Sequence, residues 1–245
     1  MENGFYFITG TSKGIGEALA KKILDEGNTV LGISRNRSST LKSTNYYHLS
    51  HDLNEMSQIS QIMDKVNEIF GKQRFGFVCL IHNASAVEPI GSIEKCLLTD
   101  IESHVKIGLV APMLLTSMFI KRFADERIRK KIIFISTSAA FTPMPDTSSY
   151  CSTKAGLNMF AQCIGLEQKD KEYGFEVNSI APGMVDTAMQ QTARSKTNDE
   201  FAMVEFFKQS YENGKLQKPS EVAEKIYMVL GNKYELGKYL SLNEV

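Results

Sequence analysis

The feature that most restricts the fold is an apolar run that leads through a glycine-rich turn into a helical pattern. Phe5-Tyr6-Phe7-Ile8 precedes the turn Thr9-Gly10-Thr11-Ser12-Lys13-Gly14-Ile15-Gly16, and Ala18, Leu19, Ile23 and Leu24 then follow at helical spacing. Strand, turn and helix in this order are typical of the first unit of an open parallel α/β sheet. The chain is therefore predicted to begin with such a unit.

Five later apolar runs also have the length of strands, and helical patterns alternate with them. The runs are Thr29 to Ser34, Tyr46 to Leu49, Phe77 to Ile81, Lys131 to Ile135 and Glu176 to Ile180. A long helix from Thr99 to Arg122, kinked by Pro112, separates two of them. Repeated alternation predicts an α/β fold with a doubly wound parallel sheet, helices on both faces and one domain over residues 1–245.

Charge and cysteine content restrict the partners. Lys+Arg and Asp+Glu both total 28 in 245 residues, so the net charge is +0 and neither a nucleic-acid footprint nor a polybasic membrane patch is indicated. The four cysteines show no Cys-x-x-Cys spacing, which disfavours disulfides and a zinc site. No signal peptide is evident, and the apolar region 107–120 is too short to span a bilayer. We expect a cytoplasmic protein with small-molecule partners and no metal.

The glycine turn is a candidate phosphate site. Glycines let the backbone approach a pyrophosphate, and the unpaired N–H groups at a helix start favour its charge. We predict cofactor contacts from Gly10, Ser12, Lys13, Gly14, Ile15 and Gly16. The alternative is a plain tight turn.

The end of the second strand bears on the choice of cofactor. It reads Ser34-Arg35-Asn36-Arg37 and lacks the carboxylate that would bind an NAD ribose. Lys13 and Arg35 are therefore predicted to bind the phosphorylated ribose of NADP(H). Both could instead be ordinary solvated charges.

Two further strand ends supply candidates for cofactor binding. Asp52 follows the third strand and either contacts adenine or, with Glu55 at capping-box spacing, starts the next helix. Asn83 and Ala84 follow the fourth strand, at the edge where ligands of parallel sheets bind. Asn83 is either a cofactor-side residue or a turn residue that bonds its own backbone.

The candidate reaction centre is the stretch from Ser136 to Lys154. Tyr150 and Lys154 are four residues apart and share one helix face, so the ammonium can lie near the phenol. The same spacing recurs at Tyr211 and Tyr234, but glycines interrupt those pairs. Only Tyr150 is also preceded by strand-end hydroxyls, which belong to Ser136, Thr137 and Ser138.

The segment from Thr187 to Gly214 is polar with apolar islands. It lies between a turn at Ala181 to Thr187 and a final helix near Glu221 to Leu230. It resembles a substrate lid over residues 187–214, or else an amphipathic helix packed on the body.

Taken together, these motifs resemble the short-chain dehydrogenases/reductases. The motifs are Thr9-Gly10…Gly14-Ile15-Gly16, Asn83-Ala84, the strand-end hydroxyls, Tyr150…Lys154 and Asn178…Pro182-Gly183. The resemblance spans nearly the whole chain and implies a seven-stranded Rossmann sheet that binds NAD(P). The stretches Tyr150 to Phe160 and Pro182 to Gln190 are similar to the sepiapterin reductase and benzil reductase group, which implies NADPH-dependent carbonyl reduction.

The resemblance also implies roles for single residues. Tyr150 would protonate the carbonyl oxygen, and Lys154 would bind the nicotinamide ribose and lower the tyrosine pKa. Thr187 would contact the carboxamide, beside cofactor contacts from Pro182, Gly183 and Val185. Thr137 stands where the family has its serine, with Ser138 as the alternative.

The chain departs from the family pattern at Gly108, where an asparagine usually supports a proton-relay water. His104 lies one helical turn earlier and is either a substitute or a surface histidine. The departure leaves open an NADP(H)-binding sensor or interaction protein with little turnover. An apolar pocket, suited to a bulky or aromatic ketone or diketone, is suggested by Phe141, Pro143, Met144, Pro145, Met184 and the aromatic residues of the lid. Family members associate through the helices that start here at Thr99 and Ser149, which implies a homodimer or homotetramer.

Overall fold

The computed structural model describes residues 3–244 and contains one sheet of seven parallel strands. The strands are β1 (Gly4–Thr9), β2 (Thr29–Ser34), β3 (Tyr46–Ser50), β4 (Phe77–His82), β5 (Arg129–Ile135), β6 (Glu176–Ala181) and β7 (Tyr239–Ser241). Their order across the sheet is β3-β2-β1-β4-β5-β6-β7. The direction of winding reverses between β1 and β4, and ligands of such sheets bind outside the carboxyl ends at this point.

Helices cover both faces of the sheet. They are α1 (Gly14–Asp25), α2 (Ile59–Phe70), α3 (Leu98–Val105), α4 (Ala111–Phe123), α5 (Ser148–Gln168), α6 (Ala188–Arg194), α7 (Val204–Glu212) and α8 (Pro219–Gly231). Alternating β1 side chains enter two separate cores: Phe5 and Phe7 pack with α2, α4 and α5, whereas Tyr6 and Ile8 pack with α1 and α8. The predicted doubly wound sheet is confirmed.

All six strands predicted from apolar runs are present within two residues of their expected bounds. The seventh strand, which only the family resemblance implied, is β7. It has three residues and pairs with β6 alone. A run of three residues is too short to show strand periodicity in the sequence. Its pairing with β6 is what identifies it as a strand.

The long helix predicted from Thr99 to Arg122 is interrupted. A π-helical turn at Lys106–Val110 joins α3 to α4, directly before Pro112. Proline has no N–H and its ring collides with the carbonyl four residues earlier, so the regular ladder cannot pass Gly108. The helix over 98–123 has the length and apolarity to cross a membrane. Leu115, Phe119 and Phe123 are nevertheless fully buried against the sheet, as in a core helix.

Candidate active site

The Tyr150 and Lys154 pair lies at the start of α5, beside the carboxyl end of β5. Lys154 is 4% exposed, and its Nζ donates a hydrogen bond of 2.8 Å to the carbonyl oxygen of Ile135. The same Nζ lies 5.9 Å from the centre of the Tyr150 ring. The structure therefore brings this predicted pair together at one strand end.

Of the two candidate hydroxyls, Thr137 is the one beside Tyr150. The Thr137 hydroxyl lies close enough to the Tyr150 phenol to act on its pKa. Thr137 Oγ1 also accepts a hydrogen bond of 3.3 Å from the N–H of Ala139, which fixes its position. Ser138 is exposed. The geometry thus supports Thr137 in the place of the family serine.

Burial controls the pKa values of the pair. Burial raises the pKa of Tyr150 to about 12, and the nearby Thr137 hydroxyl offsets only part of this effect. Burial likewise lowers the pKa of Lys154 to about 8. The lowering of the phenol pKa expected from Lys154 is not found, because the loss of hydration outweighs it. At neutral pH the phenol keeps its proton, as a proton donor requires.

The glycine turn has the backbone geometry of an anion cradle. Gly10 and Gly14 have φ of 77° and 64°, a region that favours glycine. A Cβ on Gly16 would lie 2.2 Å from the Gly10 carbonyl oxygen, so only glycine lets α1 start so close to β1. No side chain caps the N-terminus of α1, and Ser12, Lys13 and Ile15 lie at this open end. These residues fit a bound pyrophosphate.

Asn83 holds the glycine turn in place. Its Nδ2 donates to the carbonyl oxygens of Thr9 and Gly10, at 3.0 and 3.1 Å. The N–H groups of Asn83 and Ala84 donate in turn to Thr9 Oγ1, at 3.1 and 3.0 Å. Asn83 therefore bonds the backbone of the neighbouring strand end rather than its own. Its side chain ties the ends of β1 and β4 together at the point where the winding reverses.

The two cations predicted to bind a ribose phosphate are both exposed. Within residues 3–244, neither Lys13 nor Arg35 forms an ion pair with a protein carboxylate. Glu17 is the acidic residue of the first turn of α1, and it accepts hydrogen bonds from Ser38 and Thr40. Both cations are thus available to an anionic ligand.

Asp52 does not start the second helix. Its Oδ1 accepts a hydrogen bond of 2.9 Å from the N–H of Asn54, whereas α2 begins only at Ile59 after a short 3-10 helix at Met56–Gln58. The capping box predicted between Asp52 and Glu55 is therefore wrong for this helix. Asp52 stabilises a turn behind β3.

The turn after β6 is held by Gln217, a residue that no sequence motif indicates. Its Nε2 donates to the carbonyl oxygen of Pro182 at 3.1 Å, and its carbonyl accepts from Asp186 at 2.9 Å. Gly183 has φ of 79°, and Val185 is buried. Thr187 Cγ2 lies 3.4 Å from where a Cβ on Gly14 would stand. The turn therefore places Thr187 against the glycine turn.

The predicted lid segment forms α6 and α7 around a small core of its own, composed of Ala193, Phe201 and Val204. Two contacts attach it to the loops that flank Tyr150. Lys196 Nζ lies 3.3 Å from Glu88 Oε1, and the N–H of Ala202 donates to Asp146 Oδ2 at 2.9 Å. Because Phe201 fills the core of the segment, it does not line the apolar pocket expected there.

His104 is buried, so its interpretation as a surface histidine is wrong. It is 3% exposed, and its Nδ1 lies 2.7 Å from the carbonyl oxygen of Glu88. A carbonyl only accepts, so Nδ1 carries the proton; burial also lowers the pKa of His104, which keeps the ring neutral. Its ring centre lies 6.2 Å from that of Tyr150 in an edge-to-face contact. At Gly108, a Cβ would lie 2.5 Å from Thr153 Cγ2.

Comparisons with known proteins agree with this geometry. A sequence model of the short chain dehydrogenase family matches residues 5–198. The chain is 34% identical over 247 residues to a benzil reductase ((S)-benzoin forming) of Bacillus cereus, covering 98% of this chain and 99% of that protein. It is also 34% identical over 239 residues to a Bacillus subtilis benzil reductase, with 98% of each chain covered. A short chain dehydrogenase/reductase from Saccharomyces cerevisiae has the same fold, with a TM-score of 0.85, 22% identity and coverage of 98% and 96%.

Proposed function

Because this chain belongs to the short-chain dehydrogenase family, we propose that it is an NADPH-dependent carbonyl reductase acting on ketones or diketones. The observation that carries the proposal is the half-buried Tyr150, whose ring lies beside Lys154 at the strand end that carries Thr137. The relatives named benzil reductases support an aromatic diketone as the substrate class.

The reaction we propose divides into a hydride and a proton. NADPH, when bound, would supply the hydride that adds to the carbonyl carbon. Tyr150 donates its phenolic proton to the carbonyl oxygen, so the product is an alcohol and the phenolate must be protonated again. The Thr137 hydroxyl holds the carbonyl oxygen beside the phenol. Lys154 stabilises the phenolate, since its ammonium lies on the same helix face.

The residues around the strand ends would hold NADP(H). The glycine turn would bind the pyrophosphate, Lys13 and Arg35 the ribose phosphate, and Asp52 the adenine. The nicotinamide end would contact Asn83, Ala84, Tyr150, Lys154, Pro182, Gly183, Val185 and Thr187. We propose one domain over residues 1–245, in which the segment 187–214 covers the substrate.

A second function is favoured by one observation. Gly108 has no side chain where the family resemblance expects an asparagine, and a Thr153 methyl stands where that side chain would begin. An NADP(H)-binding sensor with little turnover would tolerate this loss. NADPH oxidation against a panel of diketones, pteridines and simple aldehydes separates the two functions. Turnover of any of these compounds rejects the sensor, whereas tight NADPH binding without turnover rejects the reductase.

We also propose a soluble cytoplasmic homo-oligomer, a dimer or a tetramer. Leu98 at the start of α3 is 83% exposed, and Met159 and Leu166 on α5 are 60% and 72% exposed. Apolar side chains on two long helices are suited to packing against a second copy of the chain. Light scattering on the purified protein tests this, and a monomer at micromolar concentration would contradict it.

A further inference from the structure

Buried polar atoms without hydrogen-bond partners are concentrated beneath Lys154. Among the side chains of residues 3–244, six of these atoms belong to one group, which we call the polar layer. They are His82 Nδ1, Ser136 Oγ, Thr153 Oγ1, Asn158 Oδ1, Asn158 Nδ2 and Ser179 Oγ. Native proteins leave few buried polar groups unpaired, so such a concentration requires an explanation.

Three members of the polar layer come from the sheet and face the same way. His82 pairs with Phe134 across β4 and β5, and Phe134 pairs with Ser179 across β5 and β6. Ser136 lies two residues after Phe134 and continues the pairing through its N–H to Ile180. Alternate residues of a strand share a face, and Phe134 packs in the core with α4 and α5. These three polar side chains therefore lie under those two helices.

The other members come from α5 and flank Lys154. Thr153 precedes it, and Asn158 lies one helical turn after it; both are 3% exposed. Thr153 also faces Gly108, the position that lacks the family asparagine. His82 connects the layer to α4, since its Nε2 lies 2.9 Å from Thr116 Oγ1. Burial lowers the pKa of His82, and the charge on Lys154 adds to this effect.

Water explains these unpaired atoms better than a dry interior does. Buried water typically makes about three hydrogen bonds to polar groups that would otherwise be unsatisfied. Hydroxyls and amides both donate and accept, whereas the Lys154 ammonium only donates and has three N–H bonds. One of those bonds goes to Ile135. Within residues 3–244 no second protein acceptor for this ammonium is found, so with one bond given to the proposed cofactor one remains to reach water.

We propose that the polar layer is a hydrated proton path that serves Lys154 and Tyr150, with Thr153 and Asn158 as positioning residues in place of the absent asparagine. The inference rests on the proposed reductase function. Each turnover moves one proton from the phenol to the substrate oxygen. The path returns one proton from solvent water to the phenolate through Lys154, and no electrons move.

Isosteric variants test the path. Thr153→Val and Asn158→Leu keep the shape and remove the polar atoms, while Gln168→Leu is a matched control, 3% exposed at the far end of α5. We expect kcat for benzil to fall about tenfold in the first two, less than the ~10²–10⁴-fold of a complete acid–base group. KM should fall together with kcat, because the slowed step follows hydride transfer, and the Kd of NADPH should not change. The solvent deuterium isotope effect on kcat should rise, and the effect of deuterated NADPH should fall. Thr153→Ser, which keeps the hydroxyl that Thr153→Val removes, should show wild-type values of both isotope effects.

A high-resolution crystal structure of the wild type provides a readout independent of activity. Ordered waters bonded to the Asn158 amide and to Ser136 or Ser179 are expected, and a dry layer would overturn the proposal. Unchanged kinetics in both variants of an active enzyme would overturn the path alone. The same holds if His104→Ala, rather than the layer variants, changes the isotope effects. A wild type that binds NADPH but reduces nothing in the panel would overturn the reductase function and the path with it.

Discussion

Replacing Gly108 with alanine should destabilise the protein, although alanine favours a helix more than glycine does. The new Cβ would lie 2.5 Å from Thr153 Cγ2, well inside the ~3.5–4.0 Å of normal carbon contact. Overpacking a core costs about 1–3 kcal/mol, while a helical Gly-to-Ala change gains roughly 0.5–1 kcal/mol. Thr153 is buried and stiff at χ1, so we expect a net loss of about 1–2 kcal/mol.

Urea unfolding followed by circular dichroism measures this loss at a fixed protein concentration. Thr153→Ser removes the obstructing methyl, so the double variant should recover most of the stability, with a coupling energy of about 1–2 kcal/mol. Gly231→Ala is the matched control, because a Cβ there meets nothing within 4 Å. A Gly108→Ala variant as stable as the wild type, or one without coupling to Thr153, would refute the reasoning. The same obstruction predicts that Gly108→Asn alone does not improve catalysis.

Two further predictions concern the active site and the cofactor. Thr137→Val should lower kcat by ~10²-fold because it removes a donor to the developing oxyanion. Ser138 is exposed, so Ser138→Ala should have little effect. Equal losses of kcat in the two variants would contradict the assignment of Thr137 to the serine role. Lys13 and Arg35 should give NADPH a ~10²–10³-fold advantage over NADH in kcat/KM, which Arg35→Asp should largely erase without loss of NADH use. Comparable wild-type values for the two cofactors would show that these cations are merely solvated.

The sequence predicts the strands, and it predicts which strand ends supply the site residues, because both depend on local pattern. Apolar runs identify six strands, and the polar residues that follow β1, β4, β5 and β6 meet because parallel strands share a carboxyl edge. Contacts between distant residues are not local. Asn83 bonds the carbonyl of Gly10 across 73 positions, and Gln217 bonds Pro182 across 35. No pattern within one segment encodes such pairs.

Burial explains the remaining differences between the sequence-based predictions and the structure. His104 reads as a surface residue in sequence, but the loop carrying Glu88 covers it and accepts its hydrogen bond. The proximity of Lys154 in sequence predicts a lowered pKa for Tyr150, whereas the loss of hydration raises it. Both outcomes depend on how completely the tertiary structure excludes water.

The most direct test of the central claim is NADPH oxidation with benzil by the wild type and by Tyr150→Phe. The wild type should turn over, and the variant should lose ~10²–10⁴-fold in kcat because it lacks the proton donor. NADPH binding, followed by fluorescence titration, should be unchanged. A Tyr150→Phe enzyme that keeps more than about a third of the wild-type activity, far above the residual activity expected, would contradict the account.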